Sequence, residues 1–259
     1  MEIYPLYSSS SGNLFLLTSE NTNILIDVGV NYKKVLEGLD GLNKSITDID
    51  AIFITHEHSD HIAGLKVLTK KNNIPLYTTS KTKEYLLSHL NNYNNIFGYE
   101  YDEDVTINNL INFKFIQTSH DAVMPSAFYI TCKDKSLSFL TDLGFTSSEI
   151  LSYIDKSNYI VLESNYDKTM LMYGDYPFKI KQRIDGKLGH LSNADACNVI
   201  TSTLAKNMNK TFLLAHISEN NNNITLLKDN LFSHLKEHNL PIDNIFLASK
   251  NVSFEGYKI

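Results

Sequence analysis

Three histidines and an aspartate crowd into one hexapeptide, His56-Glu57-His58-Ser59-Asp60-His61. So many nitrogen and hard oxygen donors side by side point to metal chemistry, with Zn²⁺ or Mn²⁺ the suited ions. The apolar run at residues 51–55, Ala-Ile-Phe-Ile-Thr, leads into them and reads as a buried strand. Alternate residues of an extended segment point the same way, so His56 and His58 can reach one ion. Asp60 and His61 fall where a helix begins and can reach a second ion beside the first.

Three more donors stand at the ends of strand-like segments. His120 follows residues 113–119, Asp142 follows 137–141, and His216 follows 211–215. The C-terminal rim of strands is where α/β proteins gather their sites. Counting donors assigns His56, His58 and His120 to one ion and Asp60, His61 and His216 to another. Asp142 can bridge both with its two oxygens. Seven ligands leave coordination positions open, as a catalytic site requires and a closed structural site does not. Asp27 ends the run at 24–27 and is left to orient a ligand by hydrogen bonding.

These donors need a scaffold of strands with helices between them. Apolar runs at 24–27, 51–55, 137–141, 159–163 and 211–215 read as buried strands, and residues 107–117 and 127–131 as two more. Amphipathic stretches at 32–39, 62–70, 81–90, 147–154, 193–205 and 225–238 read as helices. Ser192 and Asp195 look like a capping pair at the start of one of them. With 259 residues, 42% hydrophobic and 20% charged, the chain can bury a large core. The expectation is a single α/β domain over residues 1–259, with a less regular substrate-side lobe around 167–189. Cys132 and Cys197 form no disulfide framework, and no signal peptide or membrane span is evident, so a cytoplasmic protein is expected. The net charge of −6 excludes grip on nucleic acid by bulk phosphate neutralisation alone. Any such role needs a local patch or the metal centre.

The order of Asp27, the HxHxDH motif, His120, Asp142 and His216 resembles the metallo-β-lactamase superfamily over the whole chain. Four further segments resemble its YycJ/WalJ-like branch, small nuclease-like members without a β-CASP insertion. They are Ser8-Ser-Ser-Ser-Gly-Asn13, Glu163-Ser-Asn-Tyr-Asp167, Gly189-His-Leu-Ser-Asn193 and Ala215-His-Ile-Ser-Glu-Asn-Asn221. Tyr176-Pro-Phe-Lys-Ile-Lys-Gln-Arg-Ile184 fits between them. The resemblance implies a four-layer αββα sandwich, two divalent metal ions and a DNA substrate. It further implies 5′-to-3′ exonuclease action on double-stranded DNA. The alternatives are a ribonuclease, a small-molecule hydrolase of the glyoxalase II or lactonase type, and a non-catalytic protein that kept the fold.

The expected catalytic residues are His190, Asp60 and Glu163. His190 sits just before a helix start, where it can bind phosphate or protonate a leaving oxygen. Glu163 can orient it. Ser11 and Asn13 offer groups suited to a phosphate, as do Ser192 and Asn193. The branch segments add Asn165, Ser218 and Asn221 as substrate-binding candidates. Lys181 and Arg183, with Lys179 and Lys187, make a local basic patch within the acidic total. His234-Leu-Lys-Glu-His238 matches a zinc-protease pattern but lies on an amphipathic surface helix and is set aside, as is His89.

Overall fold

Ile111, Phe113 and Phe115 are buried while Asn112 and Lys114 between them are partly open. That period of two lays one face of a strand on an apolar layer. The matching layer comes from a second sheet. Phe53 of that sheet stacks on Phe113 with ring centroids 3.7 Å apart. The computed structural model describes residues 1–90 and 92–259.

The first sheet holds β1 (Glu2–Tyr7), β2 (Leu14–Ser19), β3 (Thr22–Ile26), β4 (Ala51–Phe53), β5 (Leu76–Thr79) and β6 (Ile96–Tyr99). The second holds β7 (Asp104–Ile107), β8 (Ile111–Gln117), β9 (Ser126–Cys132), β10 (Lys135–Leu140), β11 (Tyr159–Glu163), β12 (Thr211–Ala215) and β13 (Ile245–Leu247). The last strand, β14 (Tyr257–Lys258), returns to pair with β1. The orders are β14-β1-β2-β3-β4-β5-β6 and β13-β12-β11-β10-β9-β8-β7. Strands β3 to β6 run parallel, as do β10 to β13. Both β8 and β10 are antiparallel to β9, so their C-terminal ends share a direction.

Helices cover both outer faces. Between the strands of the first sheet come α1 (Tyr32–Asp40), α2 (Ser59–Ile62), α3 (Leu65–Lys71) and α4 (Ser80–His89). Val35, Leu39, Leu65, Leu68 and Leu86 pack from these helices onto its outer face. Between those of the second come α5 (Ser148–Lys156), α6 (Lys168–Tyr173), α7 (Phe178–Ile184), α8 (Asn193–Lys206) and α9 (Ile224–Glu237). Ile150, Ile154, Ile200, Leu227 and Leu231 cover that side. A third cluster, rich in phenylalanine, fills the space between the sheets. The result is the four-layer αββα sandwich expected from the resemblance.

Three local readings need correction. Residues 107–117 are not one strand. Asn108 and Asn109 both take left-handed backbone (φ 52° each), which makes a tight hairpin turn between β7 and β8. Residues 62–70 are not one helix. The chain breaks at Gly64, where a Cβ would stand 2.3 Å from the Val30 carbonyl oxygen. The region 167–189 is more regular than expected, since it contains α6 and α7. Strands β1, β2, β5, β6, β13 and β14, and all of β7 but Ile107, were not anticipated.

Lys210 is 5% exposed, and its Nζ donates to the carbonyls of Ile154, Asp155 and Ser157 at 3.0, 2.8 and 2.6 Å. Two of these belong to the last turn of α5, where carbonyls run short of helical N–H donors; Ile154 also takes the Ser157 N–H at 3.2 Å. Lys210→Met should fill the same space but strand the carbonyls, costing about 1–3 kcal/mol. Chemical denaturation will show this as a lowered midpoint. An unchanged midpoint would refute the capping role.

Candidate metal centre

The rim of both sheets gathers the donors. His56, His58 and His120 bring their ligand atoms within 4.8 Å of one another, and so do Asp60, His61 and His216. Asp142 stands between the groups. It joins His56 and His61 in one metal-capable set and Glu163, His190 and His216 in another. Its Oδ2 lies 3.2 Å from His61 Nε2, and its Oδ1 lies 3.6 Å from both His120 Nε2 and His216 Nδ1.

Hydrogen bonds decide which ring nitrogen each histidine can turn inward. His120 Nδ1 donates to the Gly189 carbonyl at 2.9 Å, which leaves Nε2 free, 3.2 Å from His58 Nδ1. His56 Nδ1 stands 3.0 Å from Thr55 Oγ1. His61 Nδ1 stands 2.7 Å from Asp27 Oδ2. Asp27 also accepts from the Thr55 N–H at 2.9 Å and from its hydroxyl at 3.0 Å. One buried carboxylate thus orients His61 directly and His56 through Thr55. On the other sheet, Glu163 Oε1 lies 2.6 Å from His216 Nδ1 and 2.9 Å from His190 Nδ1. Its Oε2 accepts the N–H groups of Leu143 and Leu191. Both Glu163 oxygens are therefore engaged by donors.

Three of these residues share an unusual backbone. Asp27, Asp142 and His216 take φ values of 59°, 57° and 52°, left-handed conformations that cost a side-chain-bearing residue energy. Each directly follows a strand, or lies two residues beyond one, and the turn throws its side chain across the rim. The neighbouring loop makes the same corner rigid. Asn13 N–H donates to the Asp60 carbonyl at 2.8 Å, and Gly29 N–H donates to the Asn13 carbonyl at 2.7 Å. A Cβ on Gly29 would sit 1.6 Å from the Asp60 oxygen, so only glycine allows this approach.

The field inside the cluster favours positive charge at His61 and His216 and disfavours it at His56. Burial pushes the His56 imidazole well below its ordinary value, and His61 beside it adds to the effect. Against the pull of burial, Asp27 and Asp142 hold His61 well above its ordinary value. Against the same pull, Asp142 and Asp60 raise His216 to about 10. Burial likewise opposes, and the nearby histidines outweigh it, in holding Asp60 and Asp142 well below the carboxylate range. Two buried atoms of the cluster, His56 Nε2 and Asp142 Oδ2, have no hydrogen-bond partner among the described residues. Orphaned donor atoms facing a carboxylate-rich cluster fit divalent cations.

A cleft of about 230 Å³ opens over the centre. His58, Asp60, Asp142, His190 and His216 form its floor, and Asn165, Arg183, Ser218 and Asn221 line it. Ser11 does not; the serine of that loop that lines it is Ser10. Asn13 is buried against His61, with Nδ2 3.4 Å from Nε2. Lys181 donates to the Met172 carbonyl and ties α7 to α6. Ser192 caps α8 and holds Asp195 N–H at 3.1 Å. Asn193 is engaged with Ser164 and Asn222. Asn13, Lys181, Ser192 and Asn193 each spend a polar group on a neighbour in the fold, and Ser11 is exposed off the cleft lining. The metal-capable clusters among the described residues do not include His234 or His238.

The model of the beta-lactamase superfamily domain matches residues 22–217. The chain belongs to the metallo-β-lactamase superfamily. Within the superfamily it is similar to exodeoxyribonuclease WalJ of Streptococcus pneumoniae, at 37% identity over 84% of this chain and 81% of that one. It is also 32% identical to exodeoxyribonuclease YycJ of Bacillus anthracis, over 93% of this chain and 91% of that one. These two place it in the WalJ/YycJ branch, as a metal-dependent hydrolase. Among solved structures, the metallo-β-lactamase fold protein YhfI of Bacillus subtilis superposes with a TM-score of 0.72. It is 17% identical and covers 99% of this chain and 98% of its own, which speaks to the fold.

Some working residues of this superfamily member escaped the sequence reading. Thr55 was taken only as the end of a strand, yet it links Asp27 to His56. Ser8 accepts the His216 N–H at 2.8 Å, and Tyr176 lines the cleft. No spacing signal marks a single serine or tyrosine that reaches across the fold. The Asp27 arrangement yields a test. Asp27→Asn keeps a side chain that tolerates left-handed backbone but loses the charge beside His61. Metal affinity, measured by chelator competition, should fall about 10–100-fold. Unchanged affinity would remove Asp27 from any orienting role.

Proposed function

We propose that the chain is a two-metal phosphodiesterase that removes nucleotides from duplex DNA, 5′ to 3′, in the cytoplasm. Residues 1–259 act as one unit in this reading. The proposed ligands are His56, His58 and His120 for one ion, and Asp60, His61 and His216 for the other, with Asp142 shared. Zn²⁺ and Mn²⁺ suit this mixed nitrogen and oxygen set. When bound, the pair supplies Lewis acidity toward a phosphate oxygen and lowers the pKa of water.

The observation that carries the reading is His190. It lies outside the seven ligands, faces the cleft, and is held by the same Glu163 that holds His216. With Nδ1 committed to Glu163, Nε2 is left to meet the substrate. There it gives a proton to the leaving oxygen or grips the scissile phosphate. Ser10, Ser218 and Asn221 bring polar groups to the same cleft. Arg183 forks onto Asp121 and adds positive charge at its edge. The exodeoxyribonuclease names of the two long relatives favour DNA over RNA and over a small-molecule ester.

The test is incubation of metal-loaded protein with 5′-labelled duplex DNA. Labelled mononucleotides should appear and a chelator should stop their release. Intact DNA beside hydrolysed thioester or lactone would overturn the proposal.

A further inference from the structure

A second and larger groove, of about 790 Å³, adjoins the centre at His120. Three large apolar side chains stand open on its walls. Val123, Phe145 and Leu188 are 48%, 46% and 56% exposed. Such exposure collected in one concavity beside a reactive centre marks a place for an apolar ligand surface. Thr118 lines the groove too, with its hydroxyl buried behind the wall and without a partner among the described residues. Gln117 lines the groove beside it.

The groove offers little to a phosphate. Glu100 and Glu149 line it against Lys81 alone, whereas the metal-capable donors line the cleft. The two spaces are joined through the backbone. Val123 N–H donates at 2.9 Å to Glu57, the residue between His56 and His58. Leu188 is two residues from His190, and its carbonyl accepts the Asp121 N–H at 3.1 Å. Whatever fills the groove therefore lies next to whatever reacts in the cleft.

The geometry points to a nucleobase subsite, in which this groove takes the base of the nucleotide beside the scissile phosphate. The assignment rests on the nuclease reading above. The apolar walls shield the faces of the base, with Phe145 as the stacking surface. The Gln117 amide meets its edge. An amide both donates and accepts, so any of the four bases can satisfy it. A pocket that grips every base and offers little to a phosphate suits an enzyme that advances along DNA without regard to sequence.

The test compares wild type, Phe145→Ala and Gln117→Ala, all metal-loaded. The substrates are duplexes with either an intact or an abasic nucleotide on each side of the first scissile bond. Phe145 uses only its backbone for hydrogen bonds to Ser119, so its truncation spares that loop. For wild type, removing the base should raise KM by roughly 5–150-fold, the span of one base–aromatic stack. Phe145→Ala should show a rise of that size on intact DNA and little further rise on abasic DNA. Gln117→Ala should show a smaller rise with the same pattern. Metal content and hydrolysis of a methyl nitrophenyl phosphodiester, which has no base, should match wild type. Equal losses on intact and abasic DNA, or no loss at all, would overturn the subsite while leaving the nuclease intact. Wild type that leaves every duplex uncut would instead overturn the nuclease reading, and the subsite with it.

Discussion

His190→Ala should slow DNA hydrolysis by ~10²–10⁴-fold, the usual worth of a general acid or base. Metal content and folding should stay as in wild type. The side chain is 18% exposed and lies outside the proposed ligand set, so its loss opens no deep cavity. Glu163 keeps its contact with His216 at 2.6 Å and its two backbone donors. A nitrophenyl phosphodiester separates the two roles open to His190. Its leaving group needs little protonation, so a proton donor's deficit shrinks on that substrate. A phosphate grip gives equal deficits on both substrates. Full DNA hydrolysis by the metal-replete variant would refute both roles and return the small-molecule reading to contention.

Asp60→Ala should lower the metal content from two ions to one and slow hydrolysis by roughly 10²-fold or more. One ion's charge stabilisation is worth several kcal/mol, and each ~1.4 kcal/mol is tenfold in rate. Asp60 Oδ2 lies 3.3 Å from both His61 Nε2 and His216 Nε2, so it closes that group of donors. The His56, His58 and His120 group does not contain it and should keep its ion. Elemental analysis of the purified variant decides the matter. Two retained ions would contradict the assignment of Asp60.

The metal motif was legible in the sequence because its donors lie within six residues. Local geometry alone brings His56 and His58 to one side and delivers Asp60 and His61 to the helix start. The strands at Tyr159–Glu163 and Thr211–Ala215 were legible to the residue, since buried parallel strands are continuous apolar runs. His120, Asp142 and His216 were placed by a weaker signal, their position at strand ends. The substrate residues were read less well. Serine and asparagine serve caps, turns and interior networks as readily as ligands, and Asn13, Ser192 and Asn193 went to those uses.

Only the tertiary structure decided how the distant donors meet. The antiparallel and parallel halves of each sheet had to pair before β4, β8, β10 and β12 could end on one rim. The left-handed turns at Asp27, Asp142 and His216 cost energy locally, so no propensity scale would propose them. They persist because long-range bonds hold them, such as Ser8 on the His216 N–H and Thr55 on Asp27. Glu163 is the clearest case. Its sequence position places it at the end of a strand. Its service to two histidines and two backbone amides exists only once residues 143, 190, 191 and 216 have converged on it. A local pattern can nominate a donor, but a carboxylate buried beneath two histidines is stable only when the whole fold supplies its partners.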